Sequence, residues 1–150
     1  MEPIVAKYLE GITDDMSAYD VALRLHLRLI NTIDYDSVGL AEQEEDGLAD
    51  GEMDNLRNIC GAFLNGKSVC VGYARALQYL LQKCGIESAE VVGETYREDG
   101  TKSGRHAWTL IKVDGEYYHI DTTWDDRSDT EQAEKDTEYD FDYFCGERTF

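Results

Sequence analysis

A thiol, an imidazole and a carboxylate follow one another in this chain as Cys70, His106 and Asp121, at intervals of 36 and 15 residues. A thiol is nucleophilic as its thiolate, and a neighbouring imidazole can take its proton and later give one to a leaving amine. A carboxylate on the far side of the ring fixes the imidazole and stabilises its charged form. Two conditions must hold: the thiol pKa must be lowered, and the three side chains must meet.

The first condition is met if Cys70 opens a helix. Val69, Tyr73, Ala76, Leu77 and Leu80 recur on one face, which predicts a helix over residues 69–84 with Ser68 as its N-cap and Gly85 as its stop. Cys70 then lies in the first turn, where unpaired N–H groups and the helix dipole favour an anion. Such positions can lower a thiol pKa from about 8.5 to roughly 3.5–7.5.

The second condition depends on a hairpin. Asp114-Gly115 separates two β-prone runs, residues 106–113 and 116–122, and reads as a two-residue type I′ turn. That turn sets Val113 opposite Glu116, Leu110 opposite His119 and Trp108 opposite Asp121. His106 and Asp121 then share a face one diagonal step apart, about 7–8 Å between backbones, within reach of their side chains. His119 competes for the same carboxylate but is its neighbour in one strand and less free to be oriented by it. Tyr73, Trp108 and Trp124 are the candidate substrate contacts, with packing in the core as the competing role for each. Gly72 is expected to permit close helix–sheet approach, and the Cys70 backbone N–H to supply one donor of an oxyanion hole.

The remaining elements must hold these together. Residues 3–10 and 18–33 read as helices, the second capped by Ser17. Leu23, Leu25, Leu27 and Leu29 alternate with polar residues as in a strand, but Ser17, Asp20, Arg24, Arg28 and Asn31 form one polar stripe at helical spacing. His26 then falls among core positions. Residues 87–96 read as a further strand, and Tyr139, Phe141, Tyr143 and Phe144 as a return to the core. Helices followed by antiparallel strands predict an α+β fold. A single proline and the lack of any Gly/Ser-rich tract or repeat predict one domain over residues 1–150.

Composition narrows the partners. With 150 residues, 42% hydrophobic, and a net charge of −18, the chain is globular and repels phosphate backbones and anionic lipid. Nucleic acid and membranes are therefore excluded as partners, and a protein or peptide substrate of basic character is expected. Two acid-rich segments, 34–54 and 125–147, would add to that preference if they flank the site. No basic region followed by an apolar stretch marks the N-terminus, so the expectation is a cytoplasmic chain, or a secreted one if the sequence is an excised domain.

No metal or cofactor is expected. Cys60, Cys70, Cys84 and Cys145 match no zinc spacing. Glu42, Glu44, Asp46 and Gly47 imitate the start of a calcium loop, but the position that needs a bidentate glutamate is Met53. A disulfide scaffold is a third possibility. Cys70 and Cys84, about 21 Å apart along one helix, cannot pair, so two bridges would have to consume Cys70.

Around the three residues the sequence resembles the transglutaminase-like superfamily, the papain-related thiol acyltransferases and peptidases. Asn65-Gly66-Lys67-Ser68-Val69-Cys70-Val71-Gly72-Tyr73-Ala74 is similar to its nucleophile segment. Arg105-His106-Ala107-Trp108 resembles its histidine strand, and Tyr117-Tyr118-His119-Ile120-Asp121-Thr122-Thr123-Trp124-Asp125 its aspartate segment. Weaker similarity runs from about Ser17 to Phe144. The resemblance implies a papain-like α+β core, with the nucleophile helix packed on an antiparallel sheet. It also implies Cys70 as nucleophile, His106 as general base and acid, and Asp121 as its orienting partner. Thr109 departs from the family, where asparagine is frequent. A non-catalytic protein-binding module on the same fold is the rival, and the intact set of three residues argues against it.

Overall fold

A computed structural model describes residues 1–40, 56–126 and 144–146. The acid-rich stretches 41–55 and 127–143, with the calcium-loop candidate and Tyr139, Phe141 and Tyr143, lie outside the described residues.

Two helices open the chain, α1 (Glu2–Leu9) and α2 (Ala18–Ile30). The Ser17 side chain accepts from the Asp20 N–H at 3.1 Å, so the expected cap is in place. Val21, Ala22, Leu25, His26 and Leu29 form the buried face of α2, which settles the leucine alternation in favour of the helix. The helix ends three residues earlier than expected, because Thr32 and Ile33 both bond back to the Leu29 carbonyl and the chain then enters β1 (Asp34–Tyr35). β1 pairs in parallel with β2 (Lys67–Ser68), just ahead of α3 (Cys70–Lys83). A single π-helical turn, Gly61–Asn65, precedes β2.

A four-stranded antiparallel sheet follows, in the order β3 (Ser88–Tyr96), β4 (Lys102–Val113), β5 (Glu116–Ile120) and β6 (Phe144–Gly146). β4 starts four residues before the expected strand, since Gly93 to Tyr96 keep pairing with Lys102 to His106. Lys102, Ser103, Gly104 and Arg105 carry no strand signature; the β3 ladder recruits them. Leu25 and Leu29 of α2, Leu77, Leu80 and Leu81 of α3, and Ile111 and Ile120 of the sheet are fully buried together. Each such side chain contributes about 1.5–3 kcal/mol by leaving water. The Thr109 hydroxyl donates to the Ala74 carbonyl at 3.2 Å, tying β4 to α3. No helix among the described residues is long and apolar enough to cross a membrane.

The β4–β5 turn has Asp114 at φ 51° and Gly115 at φ 85°, both positive as a type I′ turn requires. Val113 pairs with Glu116 and Leu110 with His119, as expected. A Cβ on Gly115 would meet nothing within 4 Å, so substitution there is penalised by conformation alone. Gly115→Val is expected to cost roughly 1–2 kcal/mol and to lower Tm by roughly 2–8 °C, measured by circular dichroism. An unchanged Tm would contradict the turn assignment.

Candidate active site

Cys70 is the first residue of α3, but its N-cap is Val69, and no side chain caps the helix. The expected cap, Ser68, instead lies in β2 and donates its hydroxyl to the Leu56 carbonyl at 2.8 Å. The correction has a chemical consequence: no side-chain oxygen competes for the first-turn N–H groups. The Val71 and Ala107 N–H groups both favour the Cys70 thiolate.

Gly72 also acts differently from expectation. A Cβ there would lie 1.8 Å from Ser68 Oγ and 2.7 Å from the Leu56 carbonyl oxygen, so the close approach is to the chain beneath the helix start. Gly72→Ala must push Ser68 off its bond with Leu56 and shift backbone next to Cys70. The expected cost is about 1–3 kcal/mol, read by chemical denaturation, with slowed alkylation of Cys70 beside it.

His106 lies in mid-β4, 7% exposed, and its Nε2 is 2.5 Å from Asp121 Oδ2. Asp121 does not continue the β5 ladder opposite Trp108, because the pairing stops at Thr109–Ile120. It turns out of the strand to become the N-cap of a four-residue helix, α4 (Thr122–Asp125), and its Oδ1 accepts from the Trp124 N–H at 3.1 Å. One fully buried carboxylate thus caps α4 and holds the imidazole. With Nε2 held by Asp121, the His106 imidazole is the group that most lowers the Cys70 thiol pKa against its burial.

The electrostatics follow from these contacts. Burial raises the Cys70 pKa, but the His106 hydrogen bond and charge and the two backbone N–H groups outweigh it and bring the thiol below 9.0. Burial lowers the His106 pKa, yet Asp121 and Cys70 together raise it from 6.5 to about 9. The two shifts thus run in the directions that favour a thiolate–imidazolium pair. The Trp124 indole stacks on the His106 ring with centroids 4.6 Å apart at 8°, and Trp108 lies 5.9 Å away at 25°. An indole face attracts a cation, which further favours the protonated ring.

The three aromatics singled out from sequence part company. Tyr73 is fully buried, with its hydroxyl 2.8 Å from the Ile33 carbonyl and 2.5 Å from Asp126 Oδ2, so its expected place on a substrate surface is corrected to the core. Trp108 is 7% exposed and donates its indole N–H to His119 Nδ1 at 2.8 Å; its ring lies across Gly93, where a Cβ would come within 2.8 Å. Trp124, 38% exposed, remains at the surface with its ring stacked on His106. His119 bonds to Trp108, and Asp121 holds His106.

Cys60, Cys70, Cys84 and Cys145 are all free thiols, so no bridge consumes Cys70. Among the described residues no group of three or more His, Cys, Asp or Glu side chains could hold a metal ion. Two residues absent from the sequence reading of the site lie behind it. His26 and Asp125, both with fully buried side chains, approach within 3.0 Å. The available signal was a titratable residue on the apolar face of α2; nothing local indicated its partner.

Comparison with curated proteins by sequence yields no match. The fold is similar to a transglutaminase crystal structure, at 20% identity and a TM-score of 0.63, covering 81% of this chain and 31% of that one. It is also similar to the NAT3 arylamine N-acetyltransferase of Bacillus cereus, described as having a unique Cys-His-Glu catalytic triad. There the identity is 15% and the TM-score 0.55, over 81% of this chain and 48% of the other. The chain thus spans less than half the length of either structure. Both likenesses concern the mixed helix and antiparallel-sheet core, the papain-like arrangement the sequence implied. The profile of the transglutaminase-like superfamily core matches residues 5–122, from within the first helix to just past Asp121. The chain therefore belongs to the transglutaminase-like superfamily, a family of cysteine-based acyltransferases and peptidases.

Proposed function

We propose that this chain is a thiol enzyme that transfers or hydrolyses acyl groups at carboxamide or peptide carbonyls, with Cys70 as nucleophile. The reading is supported by the buried His106–Asp121 pair together with Cys70 at the uncapped start of α3, where His106 lowers its thiol pKa. The Cys70 thiolate attacks the carbonyl carbon, and the His106 proton passes to the departing nitrogen, which leaves as ammonia or an amine. The resulting thioester is resolved when His106 takes a proton from water or from an incoming amine, whose attack restores the thiol group. Asp121 holds the ring throughout and stabilises its charge. First-turn backbone N–H groups, that of Cys70 included, stabilise the developing oxyanion. Trp124 provides a cleft wall for the substrate beside the imidazole. The net charge of −18 favours basic protein or peptide substrates.

The deciding experiment incubates the protein with a glutamine-containing protein and a labelled amine, and resolves products by mass spectrometry. Deamidation, amine adducts or chain cleavage each support the reading and name the acyl acceptor or bond. If none forms, or if Cys70→Ala retains the products, the reading fails.

A further inference from the structure

Four-residue α4 carries both Asp121 at its N-cap and Trp124 within it, yet one helical turn has no cooperative stability of its own. Its position must come from what it touches. His26, on the buried face of α2, sets its Nδ1 3.1 Å from Thr122 Oγ1 and its Nε2 3.0 Å from Asp125 Oδ2. It therefore spans both ends of α4 from behind. Nδ1 lies within hydrogen-bond distance of the Thr122 hydroxyl, and Nε2 within ion-pair distance of the Asp125 carboxylate. The Phe144 ring packs on the imidazole at 5.1 Å between centroids. At the C-cap of α4, Asp126 receives Tyr73 from α3, the helix that carries Cys70. Through His26, α2 thus holds Thr122 and Asp125, while Asp121 and Trp124 of the same short element hold His106.

We propose that His26, Thr122 and Asp125 form a buried polar clamp of positioning residues that fixes α4 and thereby holds Asp121 and Trp124 against His106. The proposal rests on the thiol-enzyme reading for its functional meaning only; the clamp itself is defined by its effect on His106. If α4 is freed, the carboxylate withdraws from the imidazole, and the imidazolium and its thiolate partner both lose stabilisation.

The test compares Thr122→Val, which removes the hydroxyl at nearly constant shape, with Thr122→Ser, which restores it, and with His26→Leu. Two quantities are followed: the His106 titration by nitrogen-labelled imidazole NMR, and the pH dependence of Cys70 alkylation mapped by peptide mass. Thr122→Val and His26→Leu are expected to lower the pH at which His106 loses its proton. They should also slow Cys70 alkylation at pH 6 about tenfold, the effect of about one pKa unit on the thiolate fraction. Thr122→Ser is expected to match the wild type. A purely structural role would lower Tm and leave the His106 titration where it was, and that result in a folded Thr122→Val protein overturns the clamp. His26→Leu removes the imidazole from a buried carboxylate; if it fails to fold, Thr122→Val decides alone. If wild-type Cys70 alkylates no faster than Cys60, the thiol-enzyme reading fails, while the His106 titration still decides the clamp.

Discussion

Cys70→Ala is expected to reduce acyl transfer or hydrolysis by on the order of 10⁵- to 10⁶-fold, the scale seen when the nucleophile of a triad is removed. The thiol is already partly buried at the start of α3, so alanine fits its place, and the melting temperature should change little. The loss can be tied to reactivity by alkylation with iodoacetamide between pH 5 and 9. His106 and two backbone N–H groups hold Cys70 below the ordinary thiol value despite burial. Burial alone acts on two of the others, raising Cys84 and pushing Cys145 up to about 11. The thiolate is the reacting species, so Cys70 should be labelled first and with appreciable rate near pH 6. Equal labelling of Cys60, Cys84 and Cys145 would remove the basis of the proposed function.

Asp121→Asn separates charge from shape. Asparagine caps a helix about as well as aspartate, and its side-chain oxygen can still accept from the Trp124 N–H, so α4 should persist. What disappears is the negative charge 2.5 Å from the imidazole. An anionic neighbour favours the protonated ring, so its removal makes His106 lose its proton at lower pH than the present value of about 9. The alkaline limb of the activity profile therefore moves to lower pH. The acid limb moves up, because the thiolate loses part of its cationic partner, and the active window narrows from both sides. At pH 7.5 kcat/KM is expected to fall about 10²- to 10⁴-fold, the upper figure being that of the equivalent change in a serine triad. A full pH profile of both proteins is the measurement. A variant with an unmoved alkaline limb would show that Asp121 serves α4 alone.

The short-range features of this molecule were legible in the sequence because they arise from local sterics and periodicity. Positive φ at Asp114 and Gly115 follows from a two-residue hairpin loop, and with it the register that sets Leu110 against His119. The α2 and α3 helices follow from the spacing of their apolar residues, and the α2 cap from Ser17. The segments around Cys70, His106 and Asp121, in that order and at those intervals, suggested the family, whose profile spans residues 5–122.

Tertiary structure decided the rest, because contacts between elements far apart in sequence leave no periodic trace. Ser68 is a good cap by composition, but β2 pairing and the Leu56 carbonyl claim it, and α3 starts uncapped. Tyr73 shares a turn with Cys70, yet a side chain at that position goes wherever α3 packs, here onto Ile33 and Asp126. The hairpin brought His106 near Asp121, but the exit of Asp121 from the ladder into α4 is what leaves one oxygen for the imidazole and one for Trp124. His26 and Thr122 are 96 residues apart. Their meeting depends on how α2 packs behind α4, and side-chain volume and burial across the whole core determine that packing where no local rule can.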